Sequence, residues 1–338
     1  LFAGRIERKI WDGFNQDPNL PLMDRAIRGL YPPGSVFKII VAIAALEEKA
    51  INENTNINCG GGVQFANRFY RCWKKEGHGT VNVRKALVQS CDSFFYRVGL
   101  NVGVDNIAKY AKMFGLGQKT GILLNNEKSG LIPSNEWKKR FFGERWYDGE
   151  TLSTSIGQGY NQVTALQLAR MISAVANKGK LFVPKLLESL SDIDQNKFDT
   201  ENELNEEPGI LTINDKTWKI IHEALAGVMN EPGGTAYWSG RMEKYIGAGK
   251  TGTAQVVKMA AGERVKSEEL DYKYRDHALF VAFAPVPDPE IAVAVITEHG
   301  GHGSSAAAPK AKVVIEAYLN KMHPEVVTDV KQEGEVIQ

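Results

Sequence analysis

The longest unbroken apolar run in the chain is Ile39-Ile40-Val41-Ala42-Ile43-Ala44-Ala45-Leu46, and it follows directly on Tyr31-Pro32-Pro33-Gly34-Ser35-Val36-Phe37-Lys38. Two prolines and a glycine punctuate the chain, then no breaker follows, which predicts a loop delivering Ser35 to the first turn of a helix. Apolar almost all round, that helix belongs in the core. From Val83 the pattern turns helical again through Ala86-Leu87-Val88, and it resumes after Ser90-Cys91-Asp92 with Phe94, Phe95 and Val98. Ile107, Ala108, Ala111, Met113 and Phe114 trace an amphipathic helix ended by Gly115, and residues 164–172 trace another closing at Asn177-Lys178-Gly179. Trp218 to Met229 is helical in pattern too.

Later the period changes. Residues 245–257 predict a strand with glycines at close approaches. Residues 279–285 and 291–296 predict two short apolar strands, with Pro287-Asp288-Pro289-Glu290 as the hairpin turn and a closing helix over 313–319. Helices early and strands late predict an α+β architecture with a central antiparallel sheet flanked by helices. Between these elements lie a lead-in over residues 1–34, a Gly-rich irregular stretch over 52–82 and a polar acidic connector over 190–209. A charged excursion over 258–276 reads as a mobile flap beside the 245–257 strand or as an inert loop, and the tail over 323–338 as loose.

Composition changes this picture little. The 338 residues are 43% apolar and 24% charged, as expected of a globular chain with a substantial core. A net charge of +1 argues against nucleic acid or an anionic membrane as the main partner. No apolar run approaches the roughly 18–20 residues of a membrane span. The chain opens on Leu1-Phe2-Ala3-Gly4, which reads as an excerpt of a longer protein. Three cysteines, an odd count, argue against a simple disulfide framework.

The chemistry starts at Ser35 and Lys38. Residues three apart share a helix face. A serine needs something to take its proton, and a lysine wedged against an apolar helix can do so because desolvation disfavours the ammonium. Ser-x-x-Lys alone is a common pattern. Two further pieces follow in order, Ser90-Cys91-Asp92 between helical stretches and Lys250-Thr251-Gly252 on the strand. A serine and lysine on a helix, a second serine on a loop and a Lys-Thr-Gly strand are the signature of penicillin-binding proteins and serine β-lactamases. Tyr31-Pro32-Pro33-Gly34-Ser35, Trp73-Lys74-Lys75-Glu76-Gly77-His78-Gly79, Gly157-Gln158-Gly159-Tyr160 and Arg275-Asp276-His277 extend the match. With them, the chain from about Trp11 to Leu319 resembles the class B, elongation-type penicillin-binding protein 2 family.

That resemblance implies a penicillin-binding transpeptidase fold over residues 1–322, with a sheet flanked by helices plus a helical lobe, and a membrane anchor and pedestal outside this sequence. It implies D,D-transpeptidation: a stem peptide ending in D-Ala-D-Ala acylates Ser35, and an acceptor amine from a neighbouring stem takes the acyl group. Lys38 is then the expected base, with Ser90 and Lys250 shuttling protons. Lys250, Thr251 and Thr253 suit the substrate carboxylate, and the backbone N–H groups of Ser35 and Thr253 the oxyanion. Gly252, lacking a side chain, is expected to leave room for substrate to add as a strand. The middle motif ends in Asp92 where much of the superfamily has asparagine, so Asp92 either bonds Lys38 as asparagine would or holds its positive charge. Implied partners are peptidoglycan stem peptides, β-lactam antibiotics, a RodA-type membrane glycosyltransferase and an MreC-type rod-shape scaffold. The implied location is the periplasmic face of the bacterial inner membrane. A serine β-lactamase and a non-catalytic β-lactam sensor or scaffold are the competing functions.

Cys59, Cys72 and Cys91 fall within 33 residues, with His78 among them. Three thiolates and one imidazole make the ligand set of a closed tetrahedral zinc site that would order residues 52–91. Three unrelated cysteines, or one disulfide plus a free thiol, are the alternatives. Family relatives that carry zinc use matching positions, some with carboxylates at 59 and 72. Because Cys91 lies between Ser90 and Asp92, a metal there would pin the catalytic loop from behind. Elsewhere, Gly300-Gly301-His302-Gly303 lacks the ending of a phosphate loop and reads as a flexible turn, with His299 and His302 as exposed loop histidines. Trp137, Trp146 and Tyr147 beside Lys138-Lys139-Arg140 read as a glycan- or partner-facing surface or as half-buried aromatics.

Overall fold

The structure is a computed structural model and describes residues 4–186, 207–256 and 269–324. Polar residues dominate the first helix, α1 (Arg8–Gln16), none of which is buried. A single turn, α2 (Arg25–Arg28), is capped by Asp24, which accepts from the Ala26 N–H at 3.0 Å. Tyr31 then bridges to Val163 through two backbone hydrogen bonds. After Pro32 and Pro33 the chain makes a 3-10 turn, Gly34–Phe37, and enters α3 (Lys38–Glu47). Lys38 to Ala45 are all buried, so the apolar run forms a core helix, and only the run's last residue, Leu46, is part-exposed. Burying each isoleucine or valine there contributes roughly 1.5–3 kcal/mol.

The segment expected to be irregular contains two small antiparallel ladders. Strand β1 (Ile57–Cys59) pairs with β4 (Gly79–Val81), and β2 (Gly62–Phe65) pairs with β3 (Arg68–Arg71). Their strands are three or four residues long, too short for alternation to show as periodicity. A helical lobe follows: α4 (Val83–Val88), α5 (Asp92–Val102), α6 (Val104–Met113), α7 (Asn135–Phe142), α8 (Asp148–Ser155) and α9 (Ala165–Ala176). Helix α9 starts on a capping box between Thr164 and Gln167. The pair β5 (Lys180–Leu181) and β6 (Gly209–Ile210) then leads to α10 (Asp215–Asn230), which packs on α4 and on the main sheet.

That sheet has the order β7 (Ala248–Ala254), β8 (His277–Ala284), β9 (Ile291–Thr297), all antiparallel, with Lys250 opposite Val281 and Gly252 opposite Leu279. Strand β8 is sandwiched. Leu279, Val281 and Phe283 join the core of α3 and α9, while Ala278, Phe280, Ala282 and Ala284 pack with Ala308, Ala311, Ile315 and Leu319 of the last helix, α11 (Ala308–Met322). Two buried faces explain why its sequence is continuously apolar rather than alternating. Residues 300–303, expected to be a flexible turn, instead end with Gly303 buried, where a Cβ would lie 2.3 Å from Leu279 O and 2.4 Å from Gly252 O. His299 is no exposed loop histidine either. It is half-buried, its ring 4.7 Å edge-on from that of His277 and 5.0 Å from that of Tyr272, and its backbone N–H donates to His277 Nδ1 at 2.9 Å. Of the charged excursion, residues 258–268 lie outside the described residues, and the rest holds one 3-10 turn, Tyr272–Tyr274. Most of the acidic connector and the tail from residue 325 lie outside them too.

Candidate active site and cysteine cluster

Ser35 lies half-buried in the 3-10 turn, and Lys38 follows it fully buried as the first residue of α3. In a 3-10 turn residues three apart eclipse, so the pair shares one side. Lys38 Nζ donates to Asp92 Oδ1 at 2.6 Å, to the Ser90 carbonyl oxygen at 2.9 Å and to Ser90 Oγ at 3.2 Å. Three acceptors for three N–H bonds is the bonding of an ammonium. Asp92 therefore serves Lys38 as a counter-charge. Its other oxygen, Oδ2, accepts from the Trp73 backbone N–H at 2.8 Å.

Ser90 joins the lobe to the sheet. Its φ of +54° is in the left-handed region, at a cost of roughly 1–2 kcal/mol for a residue with a Cβ, and this reverses the chain between α4 and α5. Lys250 Nζ, from β7, donates to Ser90 Oγ at 2.9 Å and to the Thr251 carbonyl at 3.1 Å. Both lone-pair positions of the Ser90 hydroxyl thus receive lysine N–H groups, which leaves its own proton to donate. Burial, and then the nearby Lys38, hold the Lys250 amine well below the ordinary lysine range, with Asp92 opposing. One lysine bonded as a cation and one disposed to be neutral share a hydroxyl.

The serine turn is wedged against β7. Gly34 has φ +53°, and a Cβ on it would lie 2.4 Å from Thr253 O and 3.2 Å from Thr253 N. Gly157 closes the other side, with its carbonyl accepting from Gly34 N–H at 3.0 Å. Gln158 Nε2 donates to Thr253 O at 3.0 Å. In an antiparallel strand the N–H and C=O of one residue point the same way, so Thr253 N–H also faces the unpaired edge toward the serine turn. Gly252 has a different reason from the one expected. Its Cβ would point inward, 2.9 Å from Val36 Cγ2 and 3.2 Å from Pro33 O, so glycine there lets the strand approach the serine turn rather than opening space for a ligand. On β7 the Thr251 hydroxyl lies 2.7 Å from that of Thr235.

Behind this site sit Cys59, Cys72, His78 and Cys91, all buried, with their ligand atoms within 4.8 Å of one another. All three cysteines are free thiols. His78 Nδ1 lies 3.6 Å from Cys59 Sγ and 3.5 Å from Cys72 Sγ. A tetrahedral ion with bonds of ~2.3 Å to sulfur and ~2.05 Å to nitrogen has sulfur–nitrogen edges of about 3.5 Å, and these two separations match it. Cys72 is drawn down to about 2, chiefly by its hydrogen bond with Cys91, and the same bond and burial push Cys91 up. Burial alone would raise Cys59 and lower His78, but hydrogen bonds, led by Ser93 for Cys59 and by Cys72 for His78, reverse both.

The structure thus joins Lys38, Ser90, Asp92 and Lys250 in one hydrogen-bonded group, sets the Ser35 turn against the strand that carries Thr251, Gly252 and Thr253, and brings the four sulfur and imidazole donors around one point. Three contributors carried no expectation: the Trp73 N–H, the Gln158 amide and Thr235. The Gly157-Gln158-Gly159 punctuation and the Pro232-Gly233-Gly234 turn were the available signals for the last two. Of the aromatics around Tyr160, Trp146 is buried, Trp137 is half-buried and Phe142 exposed, and Phe142 and Tyr160 cover Lys138, whose Nζ donates to Glu150 at 2.7 Å and Tyr160 at 3.1 Å.

A serine turn thus lies against a strand edge, beside a hydroxyl shared by two buried lysines, on a domain that joins helices to a three-stranded antiparallel sheet. The chain belongs to the penicillin binding protein transpeptidase domain family, which matches over residues 7–316. It is 38% identical over 305 residues to the peptidoglycan D,D-transpeptidase MrdA of Escherichia coli K12, an alignment covering 90% of this chain and 48% of that protein. The chain spans about half the length of the curated relatives it matches. Among solved structures it resembles Pseudomonas aeruginosa PBP2 in complex with WCK 5153, with a TM-score of 0.82 and 35% identity over 94% of this chain and 65% of that one. It also resembles the complex between PBP2 and MreC from Helicobacter pylori, with a TM-score of 0.79 and 31% identity over 96% of this chain and 55% of that one.

Proposed function

We propose that this chain is the transpeptidase domain, over residues 1–322, of an elongation-type peptidoglycan D,D-transpeptidase and is acylated by β-lactams. The observation that carries this reading is the Ser90 hydroxyl held between Lys38 and Lys250 at 3.2 and 2.9 Å. Ser35 Oγ attacks the carbonyl carbon of the penultimate D-Ala while its proton passes to the lysine–serine network. For Lys38 to accept that proton it first gives one up through Ser90 toward Lys250, whose neutral form is favoured by burial. The backbone N–H groups of Ser35 and Thr253 bind the oxygen that gains charge in the tetrahedral intermediate. When the C–N bond breaks, the Ser90 hydroxyl gives its proton to the leaving D-Ala amine and is re-supplied by a lysine. The same path runs in reverse when the acceptor amine attacks the acyl-enzyme. Thr251 and Thr253, with the charge on this wall, suit the donor's terminal carboxylate, and the free edge of β7 suits an extended peptide.

The chemistry belongs at the periplasmic face of the bacterial inner membrane, where peptidoglycan is cross-linked. Among the described residues no helix is long and apolar enough to cross a membrane. The MreC complex of the Helicobacter pylori relative supports an MreC-type scaffold as a partner, beside a RodA-type glycosyltransferase. Cys59, Cys72, His78 and Cys91 would hold a zinc ion. When bound it supplies cross-linking of the 52–91 segment to the Ser90–Asp92 turn and takes no part in the acyl transfer. Through Cys72 it would fix Trp73, whose N–H holds Asp92 in place.

Intact-mass spectrometry of the protein and of Ser35→Ala, each incubated with benzylpenicillin, tests the reading. A stable single adduct lost in Ser35→Ala supports it. Unmodified protein with hydrolysed drug would make the chain a β-lactamase, and a stable adduct with no cross-linking of stem peptides by the full-length protein would make it a sensor or scaffold. For the metal, native mass spectrometry should find one zinc, and chelation should lower the melting temperature. Full acylation and an unchanged melting temperature after chelation would remove the zinc proposal.

A further inference from the structure

We propose that Thr235 is a positioning residue for carboxylate recognition, acting through the Thr251 hydroxyl. This rests on the reading above, in which Thr251 meets the donor's terminal carboxylate. The two hydroxyl oxygens lie 2.7 Å apart, with Thr251 buried and Thr235 half-buried. Each hydroxyl has a single proton. A carboxylate can only accept, so Thr251 can serve it only when its own proton points outward and it receives one from Thr235. Thr235 thereby fixes both the rotamer of Thr251 and the direction of its O–H. A hydrogen bond received by a donor also strengthens the bond that donor makes.

The backbone around Thr235 is built to hold that hydroxyl still. Thr235 N–H donates to Val88 O at 3.2 Å, two residues before Ser90. Ala236 N–H donates to Val228 O at 3.0 Å and Gly234 N–H to Glu231 O at 2.8 Å, tying the turn to the end of α10. Glu231 is in turn paired with Arg84 of α4. The 231–236 turn therefore spans from the helix before Ser90 to the strand bearing Lys250 and Thr251. It sets the spacing between the hydroxyl that moves protons and the hydroxyl that holds the substrate.

The test compares benzylpenicillin with its methyl ester, which masks the carboxylate, by the rate of Ser35 acylation followed by intact mass. Thr235→Val keeps the shape and removes the donor. It should slow acylation by benzylpenicillin about three- to tenfold, the worth of one net hydrogen bond, and slow the ester by less than twofold. Thr235→Ser should restore the benzylpenicillin rate. In a Thr251→Val background the Thr235→Val effect should vanish, because the two hydroxyls act as a unit. Equal losses for drug and ester, failure of serine to rescue, or additive effects of the two substitutions would each overturn the proposal. If Thr235→Val does not fold, Thr235→Ala against Thr235→Ser carries the same comparison. Absence of an adduct on the unsubstituted protein would instead overturn the acyl-enzyme reading itself, a separate outcome visible before any variant is made.

Discussion

Replacing Asp92 by asparagine removes one acceptor while keeping the shape, and the structure sets what that should cost. Both carboxylate oxygens are used, Oδ1 by Lys38 Nζ at 2.6 Å and Oδ2 by Trp73 N–H at 2.8 Å, and the side chain is 12% exposed. An amide has one oxygen and one NH2, so either orientation turns a donor toward a donor. Pointing the oxygen at Trp73 leaves the buried Lys38 without a counter-charge, a loss of about 3–5 kcal/mol. Pointing it at Lys38 keeps that hydrogen bond, but the amide carries no charge, so the ammonium still loses its counter-charge and the Trp73 N–H is left unpaired as well. The counter-charge goes either way, so Asp92→Asn should cost roughly 3–5 kcal/mol. At about 2–4 °C per kcal/mol, the slope for chains of 150–250 residues, the melting temperature should fall by roughly 6–20 °C. Urea unfolding followed by tryptophan fluorescence, with both proteins in the same buffer, should move the midpoint at constant slope. A stability within about 0.5 kcal/mol of the parent would refute the claim that both oxygens hold the site together.

Two other perturbations follow from the same geometry. Lys250 binds fewer protons folded than unfolded, because burial holds its amine below the ordinary range of about 10.4. Its contribution to stability therefore grows with pH across that window, and Lys250→Met should be increasingly stabilised over the parent as pH falls while losing acylation; parallel pH–stability curves would contradict the burial argument. Gly34→Ala would place a Cβ 2.4 Å from Thr253 O and push the serine turn off β7, so acylation of Ser35 by benzylpenicillin should fall about 100-fold; a normal rate would show that the turn tolerates displacement.

Much of this architecture was legible in the sequence because it rests on local signals. The unbroken run after Lys38 announced a helix buried on every side, and the apolar run at 279–284 announced a strand buried on both faces. The three motifs were legible because side chains of fixed chemistry recur in a fixed order. What stayed hidden depends on contacts between distant segments or on the backbone. Trp73 acts through an N–H, which no residue identity encodes. Thr235 matters through a neighbour 16 residues away that only the α10-to-β7 connection brings close. Gly252 was assigned to ligand access because its inward neighbour, Val36, sits far away in sequence. His299 was read as an exposed loop residue because its ring partners come from β8 and the segment before it. Cys59, Cys72, His78 and Cys91 stood out as a set, yet their spacing matches no standard finger, so it took the fold to bring their ligand atoms within 4.8 Å of one another.

The outer position of β7 has a consequence for solubility. An unpaired strand edge is a template for self-association, the route by which sheets from separate molecules join and aggregate. Here the edge is seven residues of alanine, glycine, threonine and lysine, and only Thr253 is less than fully buried. The serine turn and the Gln158 amide occupy the stretch around Thr253, so little continuous edge remains for a second sheet. What remains of the edge is too short to give another copy of the chain a register.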